Sequence, residues 1–411
     1  MKRFVLLLAA VVFSALIGGC GSSSSTADAA PDFTAIPGDS LVTLAWTAQP
    51  GVEYWLFYGA GSAVTSTNWS SVGGKAVINA TSPYTITGLA NGSTYSFTMN
   101  ARKNGGPGGP GAPTQVVSPR FAGSKWTVGM PLGTGRLNGI AAFSTAGVFV
   151  GAGGTIFAGA TPASAVAKTN PAAPADLNAV NFIGPGFLAV GAAGTIIYSA
   201  NATTWVTRTS GTIANLNAIA AVGTGASVAV GAAGTALFSA DGTTWIPAVS
   251  ATSRDLFGAA FGAGLYVAVG AGGTIMTSPD GTTWTARQSN TTNDLRAVGM
   301  GVFPTTTGTG LTAVVTSTNL FVATGAAGTL LTSADGLTWT ARAPLSSTRM
   351  NAVSFGGQFV AIGDAGKIFT SLDGITWTSQ VSGTTNDLTA LLRTSTGYTA
   401  IGAAGTVLTS F

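Results

Sequence analysis

The sequence predicts an all-β protein, an immunoglobulin-like sandwich followed by a seven-bladed β-propeller, and three observations carry that expectation. A unit of about 40 residues recurs seven times in the last 292 residues, which is the period of a four-stranded blade. Ahead of it, residues such as Val42, Leu44 and Trp46 alternate with polar ones at the period of a half-buried strand. Within the repeats, runs such as Phe359-Val-Ala-Ile362 stay apolar throughout, as strands covered on both faces do.

Composition removes most other classes. Only 30 of 411 residues are charged, 17 Lys or Arg and 13 Asp or Glu, or 7%, against ~25% in soluble domains. With 46% hydrophobic residues, charge-driven disorder is excluded. Beyond the N-terminus no apolar run approaches the ~20 residues a spanning helix needs. The chain has no histidine and one cysteine, which rules out His-based acid–base chemistry, Cys/His zinc sites and internal disulfides. No cofactor, metal or catalytic residue is expected.

The elements follow in order. Met1-Lys2-Arg3 is a basic start, Phe4 to Ile17 is apolar, and Ile17-Gly18-Gly19-Cys20 is a small-residue cleavage site, so residues 1–19 read as a signal peptide. The site resembles a bacterial lipobox, which implies lipidation of Cys20, an anchor in the cell envelope and, with Gly21 rather than Asp next, the outer membrane of a Gram-negative host. Loss of Lys2 and Arg3 leaves 15 basic against 13 acidic residues, too little positive charge for a nucleic-acid partner. The serine-rich remainder of residues 20–30 is expected to be a flexible, disordered tether.

Residues 31–119 hold the sandwich. After Val42 to Trp46 come the aromatic strand Tyr54 to Tyr58 and the pair Tyr84 to Leu89 and Tyr95 to Ala101. With a core Trp and a Leu six residues before a Tyr, the set resembles a fibronectin type III domain. The glycine-rich loop Asn104 to Pro113 lacks Arg-Gly-Asp, so a spacer role is expected.

Residues 120–411 repeat, with units opening at Leu137, Leu177, Leu216, Leu256, Leu295, Met350 and Leu388. Unit six predicts strands at residues 351–355, 358–363, 367–371 and 375–379. Abundant Ala and Gly suit the crowded centre of a propeller. The interval from Trp to the next opening residue is 11 residues in every unit that has the Trp, and Trp126 to Leu137 is also 11. Trp126 is therefore expected to supply the outer strand that the seventh unit lacks, pairing two edges that would otherwise be open. The unit from Leu295 carries 16 extra residues around Phe303 to Thr318, expected as a loop.

The motif Ser239-Ala-Asp241-Gly-Thr-Thr-Trp245 recurs with Asp280, Asp335 and Asp373, and with Asn201 in a degenerate copy. It resembles the Asp-box of bacterial neuraminidase repeats, and the units also look like propellers of the photosystem II assembly-factor type. Each Asp is expected to accept hydrogen bonds from turn N–H groups, which needs no calcium. The sialidase resemblance implies a Tyr–Glu nucleophile pair, but the only glutamate, Glu53, lies in the sandwich. A two-carboxylate glycosidase using Asp176, Asp255, Asp294 or Asp387 is the alternative to a non-catalytic binder.

Topology puts the fourth-to-first connections and the second-to-third turns on one rim, opposite the Asp-boxes. That rim gathers Arg254, Asp255, Asn293, Asp294, Arg349, Asn386 and Asp387, with Asp364 and Lys367 from a turn, as the candidate binding surface. Asn138, Asn178, Asn217 and Asn351 stand second in their units, where bonding between blades competes with ligand contact; Arg296 takes that place in another. Arg208, Arg287 and Arg342 read as edge protection. The whole describes a monomeric envelope lipoprotein whose propeller binds an envelope protein or polysaccharide, in adhesion, scaffolding or assembly.

Overall fold

The computed structural model describes residues 25–223, 225–307, 314–394 and 397–410. Cys20 and the signal peptide lie outside these residues. Two compact units are present, with Pro119 ending the first and Arg120 beginning the main body of the second.

In the first unit, one sheet holds Ser25–Ala27, Glu53–Ala60, Lys75–Val77, Tyr95–Lys103 and Gln115–Val117, and a second holds Thr34–Gly38, Leu41–Ala45 and Tyr84–Thr87. Both contribute to one core that includes Val42, Leu44, Trp46, Leu56, Phe97 and Met99. The Trp46 and Tyr54 rings lie 5.5 Å apart, and the Tyr95 hydroxyl accepts the Ala90 N–H at 3.0 Å, tying that turn to the strand.

The expected tether is shorter than residues 20–30. Ser25–Ala27 pairs antiparallel with Lys103–Ala101, and Ala30 is buried. The physical reason is the length of Tyr95–Lys103, whose far end would otherwise leave backbone groups unpaired. Gly109 closes over this strand so tightly that a Cβ there would lie 2.0 Å from the Ala27 carbonyl oxygen.

Among the described residues, the second unit contains seven four-stranded antiparallel sheets. Their first strands are Leu137–Phe143, Leu177–Phe182, Leu216–Val222, Leu256–Gly262, Leu295–Thr307, Met350–Phe355 and Leu388–Arg393. Each packs on the first strand of the next sheet, and Leu388–Arg393 packs on Leu137–Phe143. The seventh sheet takes its fourth strand, Trp126–Val128, from the beginning of the unit, pairing Ser410 with Trp126 and Leu408 with Val128. This radial arrangement is a β-propeller. Its core is divided among the seams, each apolar cluster drawing on two successive sheets, as Val148, Leu177, Phe187 and Trp205 do. Second strands such as Phe187–Gly191 are buried along their whole length because a sheet covers each face.

Two local expectations change. Those extra residues after Leu295 that are described lengthen the hairpin instead of forming a loop, with Leu295–Thr307 pairing with Val314–Gly325. Their β-branched Thr and Val favour the extended ladder. In the sixth sheet the fourth strand is Thr378–Gln380 rather than residues 375–379, because the N–H groups of Ile375 and Thr376 are committed to Asp373. The glycines also serve the rim turns, not only the centre. In Gly191-Ala-Ala-Gly194, Gly194 has φ +70° and a Cβ would lie 1.9 Å from the Thr212 carbonyl oxygen.

Candidate binding rim

The rim is built on a bulge. At the second residue of each first strand the ladder shifts register, as between Leu137 and Gly139 or Leu177 and Ala179, which frees that residue to point across the seam. The amides of Asn138, Asn178, Asn217 and Asn351 donate to the carbonyls of Leu177, Leu216, Leu256 and Leu388 at 2.8–3.0 Å. Thr389 does the same to Leu137 at 2.5 Å, joining the last sheet to the first. These asparagines are thus bonds between sheets.

The residue before five of the seven first strands forms a second latch. Asp255, Asp294 and Asp387 accept the backbone N–H of Ala233, Gly272 and Ala365 in the preceding sheet, at 2.8, 2.9 and 3.0 Å. Asp176 accepts that of Gly153 at 2.6 Å, and Asn215 that of Ala193 at 2.9 Å. Asn215 was not singled out from the sequence, although aligning the residues before each opening Leu or Met places it with the aspartates.

The remaining rim residues fall into two sets. Asn293 and Asn386 donate to the hydroxyls of Thr329 and Thr406, and Arg254 donates to the Gly272 carbonyl at 2.9 Å. Lys367 lines a shallow groove of about 620 Å³ near Asn386's neighbour Thr385. The other set is a polar cluster on the fifth and sixth sheets. Arg296 pairs with Asp294 at 3.0 Å, Arg349 with Asp364 at 3.2 Å, and Asn351 reaches Asp364 at 2.8 Å. The Arg296 guanidinium lies 3.9 Å from the centre of the Phe257 ring, a contact that sequence reasoning missed. Burial, more than the neighbouring Arg349, draws the Arg296 pKa downward, and Asp294 opposes it. Both arginine side chains remain partly exposed, at 29% and 36%, while the Nε of each is buried without a hydrogen-bond partner.

The opposite rim carries the Ser-x-Asp-Gly turns that resemble Asp-boxes. Asp241, Asp280, Asp335 and Asp373 each accept two successive turn N–H groups at 2.7–3.0 Å, as Asn201 does. The Trp284, Trp339 and Trp377 indoles donate to the box Gly carbonyl, and Trp126 donates to Gly123 in the same way. Among the described residues no three acidic or cysteine side chains converge as a metal site would require. Arg287 and Arg342 do more than guard an edge, since each donates to a Thr hydroxyl on the third strand, Thr277 or Thr332.

These bonds make the box carboxylates acid-sensitive. The Thr338 and Leu337 N–H groups lower the Asp335 pKa, as Thr283 and Thr282 do for Asp280, while the Thr243 hydroxyl leads at Asp241. A depressed folded-state pKa contributes stability above the unfolded value, near pH 4, and that contribution is lost as pH falls through the folded value. Asp335→Asn keeps an acceptor oxygen and is expected to weaken this acid dependence, whereas Asp335→Ala lowers the urea midpoint at neutral pH as well. Urea titrations at neutral and acid pH check both.

No family model matches the chain, and a comparison with characterised proteins finds no match. Solved structures place the fold in the β-propeller class. YCF48 bound to a D1 peptide is 17% identical, with a TM-score of 0.54 over 69% of this chain and 94% of that one. YCF48 from Cyanidioschyzon merolae is 16% identical, with a TM-score of 0.54 over 69% and 98%. The WD40 β-propeller domain of Doa1 is 13% identical, with a TM-score of 0.53 over 71% and 96%.

Proposed function

We propose that the chain is a non-catalytic lipoprotein of the bacterial cell envelope, anchored through Cys20 in the outer membrane. In this reading a fibronectin type III-like domain acts as spacer for a seven-bladed propeller closed by Trp126–Val128. The propeller binds an envelope protein through the rim of Arg296, Arg349, Asp294, Asp364 and Asn351, in a scaffolding or assembly role.

One observation carries this reading. Two arginine side chains are each held by a carboxylate yet remain partly exposed, a fixed pair of donors suited to backbone carbonyls or carboxylates of a polypeptide. The YCF48 structure described as bound to a D1 peptide supports a peptide as the class of partner. The glycosidase alternative is weakened by the use of Asp176, Asp255, Asp294 and Asp387 as acceptors for turn N–H groups.

Crosslinking in intact host cells, followed by identification of what co-purifies, tests it. A protein partner is expected with the wild-type chain, reduced about tenfold by Arg296→Ala with Arg349→Ala, a loss of roughly 1.4 kcal/mol. Cys20→Ser is expected to move the chain from the membrane to the soluble fraction. Recovery unaffected by the double substitution, or recovery of polysaccharide alone, overturns the proposed partner; Cys20→Ser chain remaining in the membrane overturns the anchor.

A further inference from the structure

The seven seams are not filled alike. At six of them the residue at or just before the start of the fourth strand is an indole, Trp126, Trp205, Trp245, Trp284, Trp339 or Trp377, packed between two sheets. At the seam between the seventh and first sheets that place is held by Ala165, immediately before Val166–Ala167. A second ring is absent as well. The position that pairs with the end of the third strand is Phe187, Tyr266, Phe321, Phe359 or Tyr398 in five sheets, Ser227 in the third and Gly147 in the first, so that only the seam of the first sheet lacks both this ring and the indole.

Two missing aromatic side chains leave a space, and the structure has one. A cavity of about 740 Å³ opens at this seam on the Asp-box rim, lined by Ala142, Phe143, Gly147, Phe149, Ala163 and Leu392 among others, while Ala165, two residues past Ala163, packs on the apolar cluster of the same seam. Its mouth is apolar and solvent-facing, with Met130 84% and Phe143 56% exposed. Phe143 is braced by stacking on Phe182 at 3.8 Å. The volume falls in the range of ligand sites, and packed interiors do not otherwise leave such space.

We propose that this seam is a binding pocket for an aromatic side chain, tryptophan above all, presented by a partner polypeptide. The argument is the propeller's own repetition: the walls of a seam are shaped to hold an indole, and here the chain does not supply one. Exposed Met and Phe around the mouth extend the contact to the residues flanking the inserted ring, as aromatic anchors in protein interfaces require. The pocket lies on the rim opposite Arg296 and Arg349, so it stands or falls separately from the proposed rim function.

N-acetyl-tryptophanamide is the probe, titrated into the full chain and followed by NMR and thermal unfolding, with N-acetyl-leucinamide as comparison. Saturable binding of the tryptophan probe is expected, with shifts confined to residues of this seam and a rise in Tm that grows with probe concentration. Ala165→Trp, which restores the indole found at the other seams, is expected to weaken binding at least about tenfold. Ala142→Phe narrows the exposed mouth without touching the core, and is expected to do the same if Ala165→Trp does not fold. Arg296→Ala with Arg349→Ala should leave probe binding unchanged. Absence of saturable binding, equal binding of the leucine probe, or binding undiminished in a folded Ala165→Trp or Ala142→Phe chain overturns the proposal.

Discussion

Deleting Phe121 to Met130 is expected to convert a folded propeller into an aggregating one. Trp126–Val128 completes the seventh sheet by pairing with Leu408–Ser410, and Gly123 N–H adds a bond of 2.7 Å to the Ser410 hydroxyl. The Gln358 amide reaches the Ala122 carbonyl from the sixth sheet. Without this segment Val407–Ser410 becomes an open edge, and Leu388, Tyr398 and Val360 lose the cover of Trp126. An exposed edge beside an apolar surface templates association between chains. Size-exclusion chromatography and thermal unfolding read the result. A deleted chain that stayed monomeric with an unchanged Tm would show that the last edge is covered by another means.

Replacing a seam tryptophan is the next largest expected loss. Trp284 is 4% exposed and packs against Val228, Val230, Tyr266 and Ala268 of two successive sheets. Truncation of such a residue removes both transfer free energy and packing contacts, and costs about 3–5 kcal/mol. Trp284→Ala is therefore expected to lower the urea midpoint strongly, and Trp377→Ala less, because Trp377 is only half-buried in its seam. Equal losses at the two positions, or a loss at Trp284 below that of a surface substitution, would contradict the seam-filling role. Such a comparison needs the propeller's own transition, since a chain of two units does not unfold in one step.

Much of the architecture was legible because it repeats. The 40-residue period, the constant interval of 11 residues after each Trp and the uninterrupted apolar second strands define a four-stranded unit and its succession, and the observed sheets follow that order. Single-copy features were harder to read. Ser25–Ala27 has no hydrophobic pattern of its own and becomes a strand because Tyr95–Lys103 offers it an edge. The insertion after Leu295 has a soft Thr-Gly composition, yet its ladder continues one already begun by Leu295 and Gly325.

The rim shows the same division at the level of side chains. Which residues gather there was readable from topology, but their partners were not. Asp255 and Asp387 are grouped by topology with Arg254, Arg349 and Lys367 on one rim, and in the structure each is turned toward a backbone N–H of the preceding sheet. Arg296 looked like one more polar residue at a repeated position, and its place over Phe257 depends on the neighbouring sheet having an aromatic at its own bulge.

By itself, the sequence determined the all-β character, the repeat length, the box turns and the exclusion of histidine- and zinc-based chemistry, since these depend on local periodicity, turn residues and composition. Only the tertiary structure decided which carboxylates are spent as latches, which arginines remain partly exposed, and that the seam of Ala165 and Gly147 is hollow. The reason is physical: such properties belong to contacts between sheets some 40 residues apart in the chain, where a side chain's role is set by the neighbour across the seam rather than by its own position in the repeat.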